Sequence, residues 1–131
     1  MLTQLEHGIN LFKSGKHQEA FHVLLPLAHQ GNAEAQSYVG DMYFFGIPRG
    51  MAADYTEAFE WFMKSAQQGN AEAQCFVGEM YSHGIGIGVD HAKAFTWLTK
   101  SAQQGDKCAK YFVDVVYDKG RNIENNDTNT I

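Results

Sequence analysis

The sequence is poor in the features that mark a chain for covalent scaffolding, membrane insertion or polyanion binding. Only two cysteines occur in 131 residues, Cys75 and Cys108. They sit at different places in the internal repeat described below, Cys75 aligning with Tyr111 and Cys108 with Glu72. A disulfide framework needs more cysteines at matched positions, so two free thiols in a reducing cytoplasm are expected. No run approaches the ~18 apolar residues of a membrane span. The opening Met-Leu-Thr-Gln-Leu-Glu has neither a basic region nor a long apolar stretch, so no signal peptide and a cytoplasmic location are expected. Charged residues make up 19% and the formal net charge is −5, which excludes the dense Lys/Arg footprint that nucleic acid or an anionic membrane requires.

What is present is repetition. LAHQGNAEAQ from Leu27 returns as SAQQGNAEAQ from Ser65 and as SAQQGDKCAK from Ser101. Gly31, Gly69 and Gly105 are 38 and 36 residues apart, and Ala35, Ala73 and Ala109 keep those intervals, as do Tyr43, Tyr81 and Tyr117. A period in this range is the mark of a solenoid of helical pairs. Glycine followed by Asn or Asp closes one helix and opens the next at Gly31-Asn32, Gly69-Asn70 and Gly105-Asp106. First (A) helices are predicted near 2–14, 33–45, 71–83 and 107–119, and returning (B) helices near 17–30, 55–68 and 91–104, with Asp54 and Asp90 as N-caps.

The predicted fold is therefore all-α, an α/α solenoid of three A/B pairs plus a terminal helix. The single domain spans 1–120, with repeats at about 1–30, 31–68 and 69–104 and a final helix over 105–120. The Asn-rich tail 121–131 is expected to be disordered. Core stripes follow from helical spacing. They are Ala35/Val39/Tyr43 and its copies Ala73/Val77/Tyr81 and Ala109/Val113/Tyr117 on A helices. On B helices they are Ala20/Leu24/Ala28, Ala58/Phe62/Ala66 and Ala94/Leu98/Ala102. Gly8, Gly40 and Gly78 lie inside A helices, where glycine costs about 1 kcal/mol relative to alanine. A recurring cost of that kind predicts a close helix crossing, and Asp114 in the fourth copy predicts an end to the array.

Gly84, Gly86, Ile87, Asp90, Lys93, Ala94, Trp97, Lys100 and Ala102 form a loop-and-helix series. Gly50, Met51, Asp54, Glu57, Ala58, Trp61 and Lys64 repeat it with a loop two residues longer. With the Ala-Gln…Gly…Tyr halves at 35–43 and 73–81, these motifs resemble the Sel-1-like repeat, a relative of the tetratricopeptide repeat, over residues 28–120. Ser14-Gly15-Lys16 replaces the long loop in the first pair, which is more similar to a tetratricopeptide unit. The resemblance implies a right-handed superhelix and a role as adaptor, quality-control scaffold, secreted virulence factor or small protein encoded beside a toxin. The in-repeat disulfides of some secreted relatives are missing here.

Chemistry is sparse. The six histidines His7, His17, His22, His29, His83 and His91 form no HExxH or Cys/His metal spacing, so no metal or cofactor is expected. The serines have no nucleophile elbow. The Gly84–Gly88 run lacks the strand and Lys-Ser/Thr of a phosphate loop. No catalytic residue is assigned.

In related repeats the A helices line the concave side, and positions −6, −3, +1 and +4 about the repeat glycine are taken as outward. These are Leu2, Leu5, Ile9 and Phe12; then Glu34, Ser37, Asp41 and Phe44; then Glu72, Cys75, Glu79 and Ser82; then Cys108, Tyr111, Val115 and Asp118. The set holds five carboxylates and no Lys or Arg. An acidic groove with Phe44 and Tyr111 as anchors suits a basic protein or peptide. The expected protein is thus a monomeric, non-enzymatic binder, favoured as an immunity-type inhibitor of a basic toxin domain. The alternative is a general adaptor; further alternatives are an exported virulence factor and a hydrolase built on His83 and Glu79.

Overall fold

Every helix but the second opens with a side-chain oxygen that takes over an orphaned backbone N–H. The computed structural model describes residues 1–47 and 52–118. Thr3 and Glu6 form a reciprocal capping box ahead of α1 (Gln4–Lys13), while α2 (His17–His29) follows Lys16 without a side-chain cap. Asn32 caps α3 (Ala33–Phe44), Asp54 caps α4 (Tyr55–Gln67) and Asn70 caps α5 (Ala71–His83). Asp90 caps α6 (His91–Gln103) and Asp106 caps α7 (Lys107–Tyr111), which runs into a widened π-helical segment, Phe112–Asp118. The left-handed glycines fall where a helix must stop, with φ of 100° at Gly31 and Gly69 and 96° at Gly105. Gly50, Met51 and the tail expected to be disordered lie outside the described residues.

Neighbours in sequence are neighbours in space: α1 with α2, α3 with α4 and α5 with α6 form hairpins, and each hairpin packs on the next. The fold is an all-α solenoid. Its apolar interior has two parts, one around Leu24, Val39, Met42 and Trp61 and one around Phe62, Val77, Met80 and Leu98, with Tyr43 touching both. The alternation of alanine with large side chains brings the helices close. A Cβ on Gly8 would stand 2.6 Å from Leu24 Cδ2 and one on Gly40 2.9 Å from the Phe62 ring. A Cβ on Gly78 would overlap Leu98 and lie 3.2 Å from the Ala94 carbonyl oxygen. The fourth copy, Asp114, is exposed. The loop glycine Gly86, at φ 73°, accepts the backbone of Tyr55 so closely that a Cβ there would collide with its carbonyl. Its role is to seat one repeat on the previous one.

A polar clasp, not foreseen from the sequence, ties the two helices of each of the later hairpins at one end and links each to the hairpin before it. Ser65 Oγ donates to the Ala33 carbonyl at 2.6 Å, and Gln68 Nε2 donates to Gly31 O and Gln36 Oε1, both at 2.9 Å. Ser101 repeats this with Ala71 at 2.6 Å, and Gln104 with Gly69 at 2.8 Å and Gln74 at 2.9 Å. Gln36 and Gln74 then donate back to Ala28 and Ala66 of the preceding hairpin. Ser101 is fully buried, so Ser101→Ala leaves the Ala71 carbonyl without this donor. A loss of about 1 kcal/mol is expected, read as a lower urea midpoint with unchanged slope.

Candidate protein-binding face

The inner A helices α3 and α5 are packed on both sides, so only a narrow crest of each reaches solvent. On α3 and its C-cap the crest is Glu34, Asp41 and Phe45; on α5 it is Glu72, Glu79 and His83. These are positions −6, +1 and +5 about Gly40 and Gly78. Position −2 forms a half-buried flank towards the preceding repeat. Tyr38 meets Phe12 edge-on at 5.1 Å, and Phe76 stacks on Phe62 at 4.5 Å.

This placement corrects the sequence-based set. Glu34, Asp41 and Glu72 do come together on the outward side, and Glu79 is half-buried next to Cys75. Ser37 and Cys75 do not: each is 5% exposed, because position −3 turns into the seam with the following repeat. Position +4 is in the same seam. Phe44 is half-buried, and Ser82 accepts a 2.9 Å hydrogen bond from Tyr117. Tyr111 stands at position −3 of the last A helix, where no described hairpin follows, and is 62% exposed. The side chain of Asp118 lies outside the described residues. Of the first set, Leu5, Ile9 and Phe12 pack into the core and Leu2 is exposed. The assumed face was rotated by about 40° towards the seam. Phe45 and His83 were missed, although their spacing of four residues beyond Asp41 and Glu79 is the helical signal that could have found them.

The electrostatics of the crest are one-sided. Partial burial, and after it the Glu72 carboxylate, push Asp41 up to about 6. Glu72 is exposed as a residue, yet partial desolvation of its carboxyl raises it, with Asp106 and Glu34 adding repulsion. The Tyr38 phenol is raised by desolvation and then by Glu34, Glu72 and Asp41. Every charged neighbour that shifts these groups is another carboxylate. Cys75 is raised as well, first by burial and then by Glu79, whose Oε1 accepts from Cys75 Sγ at 3.3 Å.

A stability prediction follows for Asp41. Its folded pKa lies above the ordinary carboxylate value, so the native state binds the extra proton between about pH 4 and 6. Stability contributed by this group is therefore greatest below that window and falls as pH rises through it. Asp41→Asn should stabilise the protein by about 1 kcal/mol at pH 7. The gain should vanish near pH 4, as read by urea unfolding at both values.

The remaining polar groups are placed apart. His83 Nδ1 lies 2.9 Å from the backbone carbonyl of Glu79, not from its carboxylate, which is held by Cys75. The two residues weighed as a remote hydrolase alternative therefore do not meet side chain to side chain. His29 packs edge-on against Trp61 at 5.0 Å, and His22 is exposed. Both thiols are free, Cys75 buried and Cys108 exposed. Among the described residues no group of three His, Cys, Asp or Glu side chains could hold a metal ion. No helix of the described residues is long and apolar enough to cross a membrane.

The family described as Sel1 repeat matches residues 33–70 and 71–106, the α3–α4 and α5–α6 hairpins with their closing turns and more than half of the chain. The chain belongs to the Sel1 repeat family. A Sel1 repeat protein from Oxalobacter formigenes superposes with a TM-score of 0.83 at 30% identity, over 92% of this chain and 47% of that one. A protective antigen of uropathogenic Escherichia coli strains displaying an SLR fold gives 0.79 at 27% identity, over 89% and 26%. Helicobacter pylori cysteine rich protein B, at 18% identity and a TM-score of 0.64 over 70% and 68%, shares the fold. This Sel1 chain spans about half the length of the first of these relatives and about a quarter of the second. No curated protein matches it significantly. The caps, helix-crossing glycines and core alanines recur between the two matched repeats and build the scaffold.

Proposed function

We propose that this Sel1 repeat protein is a non-enzymatic binder that holds a basic protein partner against the A-helix crest, acting in the cytoplasm as an inhibitor of that partner. The observation that carries the reading is the convergence of Glu34, Asp41, Glu72 and Asp106: partial desolvation and then the Glu72 carboxylate raise Asp41 to about 6, and partial desolvation, Asp106 and Glu34 raise Glu72. Holding like charges together costs free energy in the unbound state. A Lys or Arg placed among them removes that cost and gains charge-assisted hydrogen bonds. The same field accelerates encounter with a positively charged surface.

The test is capture from the native cell, with identification of the bound protein and its titration at rising salt. The expected result is a basic partner whose association slows steeply with ionic strength and weakens as pH falls below about 6, where Asp41 takes up its proton. The partner's own activity should fall to background in the complex. A partner that remains active when bound would make the protein an adaptor. A neutral or acidic partner with no salt dependence would remove the reading altogether.

A further inference from the structure

Three aromatic rings gather at the C-terminal end of the carboxylate crest. Phe44 lies 5.1 Å from Phe45 and 5.0 Å from Tyr55, ring centre to ring centre. Phe45 is 66% exposed and Tyr55 45%, whereas Phe44 is half-buried beneath them and packs on the core. The repeat does not require this platform. In the next repeat the same places are held by Ser82, His83 and His91, and that hairpin closes equally well. Core packing accounts for Phe44 but not for two large apolar side chains left in water beside it.

The platform is continuous with the crest. Phe45 follows Asp41 by one helical turn, and its backbone N–H donates to the Asp41 carbonyl at 3.1 Å. Glu34, Asp41 and Phe45 therefore share one stripe. We infer that the crest and the platform form one docking site for an extended basic segment, in which two Lys or Arg side chains meet the carboxylates and one apolar side chain rests on Phe45 and Tyr55. This deepens the proposed function and rests on it. Charge complementarity selects the occupant: an apolar segment without cations would face Asp41 and Glu72 unpaired, and an acidic one would be repelled.

Helix geometry sets the spacing of that segment. From Glu34 to Phe45 the chain rises about 16 Å and from Asp41 to Phe45 about 6 Å. An extended peptide advances about 3.3 Å per residue, so the cations belong about five and two positions from the apolar residue.

The probes are two fluorescein-labelled peptides on a Gly/Ser background. They carry lysines five and two positions from a leucine, one in each chain direction, and are read by fluorescence anisotropy against the full chain. One orientation should bind. Leu→Ala in that peptide and Phe45→Ser with Tyr55→Ser in the protein should each weaken binding about tenfold, and their combination should weaken it no further. Both protein positions are exposed, so the melting temperature should stay near that of the parent, which separates loss of the platform from unfolding. Retained affinity in the aromatic variant, together with loss on charge reversal of Glu34, Asp41 and Glu72, would overturn the inference and leave the acidic-face reading standing. Retained affinity in the charge-reversed variant would overturn both. Binding insensitive to moving the lysines by one position would remove the proposed register. Self-association of the chain through Phe45 and Tyr55, uncompeted by either peptide, would assign the platform to a second copy and overturn the inference.

Discussion

Gly78→Val is expected to unfold much of the protein at temperatures where the parent is folded. Gly78 is buried on α5, and a single Cβ there already overlaps Leu98 and approaches the Ala94 carbonyl oxygen at 3.2 Å. Valine adds two further methyl groups. Leu98 cannot retreat, because it is itself fully buried in the same core. Relief must come from moving α6 away from α5, which also stretches the Ser101 and Gln104 clasp to Ala71, Gly69 and Gln74. Overpacking of this kind costs up to about 3 kcal/mol, or roughly 10 °C in melting temperature for a chain of this size. Helix propensity opposes the effect only weakly. Gly78→Ala gains about 1 kcal/mol of propensity but should still lower the melting temperature by circular dichroism, because the collision begins at Cβ. An unchanged melt for the valine variant would mean that α5 and α6 do not cross at this residue. Replacing the exposed Asp114 by valine should have little effect, since the corresponding place in the last A helix faces water.

The second large effect concerns binding. Replacing Glu34, Asp41, Glu72 and Glu79 together with lysine should weaken capture of the proposed basic partner at least about 100-fold at low salt, while the fold persists. Each removed carboxylate deletes an attraction, and each lysine adds a repulsion against the same partner charge. Glu34 and Glu72 are exposed and Asp41 and Glu79 half-buried, and no described hydrogen bond of the scaffold other than Cys75 to Glu79 is lost. The amide variant, with Gln and Asn at the four places, is the control for folding. It removes the partly buried charges whose desolvation and mutual repulsion raise Asp41 and Glu72, so it should melt no lower than the parent and bind about tenfold more weakly. High salt should narrow the difference between the three proteins. Surface plasmon resonance would place the loss mainly in association rate. A folded lysine variant that binds as the parent does would move the partner site off this face, towards the B helices or the exposed Leu2 at the start of the chain.

The sequence by itself determined the helices, their pairing and most of the interior. Capping at Asn32, Asp54, Asn70, Asp90 and Asp106 is local chemistry, settled within three residues of each cap, and it places each helix start. The alanine–large–alanine stripes are equally local, and Ala20, Leu24, Ala58, Phe62, Ala94 and Leu98 are all buried. Repetition then converts a local pattern into an architecture, since a hairpin with one apolar face has a copy of itself to cover it. The crossing glycines were legible for the same reason: a helix breaker kept at the same place in three copies signals contact.

Only the tertiary structure decided which narrow strip of the inner A helices α3 and α5 stays in water. That choice depends on neighbours on both sides, and helical spacing constrains the direction of the core but not the width of the two seams. A shift of one residue along the stripe separates buried Ser37 and Cys75 from the flank residues Tyr38 and Phe76, and seam-bound Phe44 from exposed Phe45. The clasp of Ser65, Gln68, Ser101 and Gln104 was hidden because each bond spans 30 to 37 residues and most join a side chain to a backbone carbonyl. Its acceptors have no sequence signature. The raised Asp41 was hidden in the same way, for its cause is burial first and a carboxylate on the next repeat second. Local chemistry made this chain a solenoid, and the packing of one repeat on another made one side of it an acidic surface.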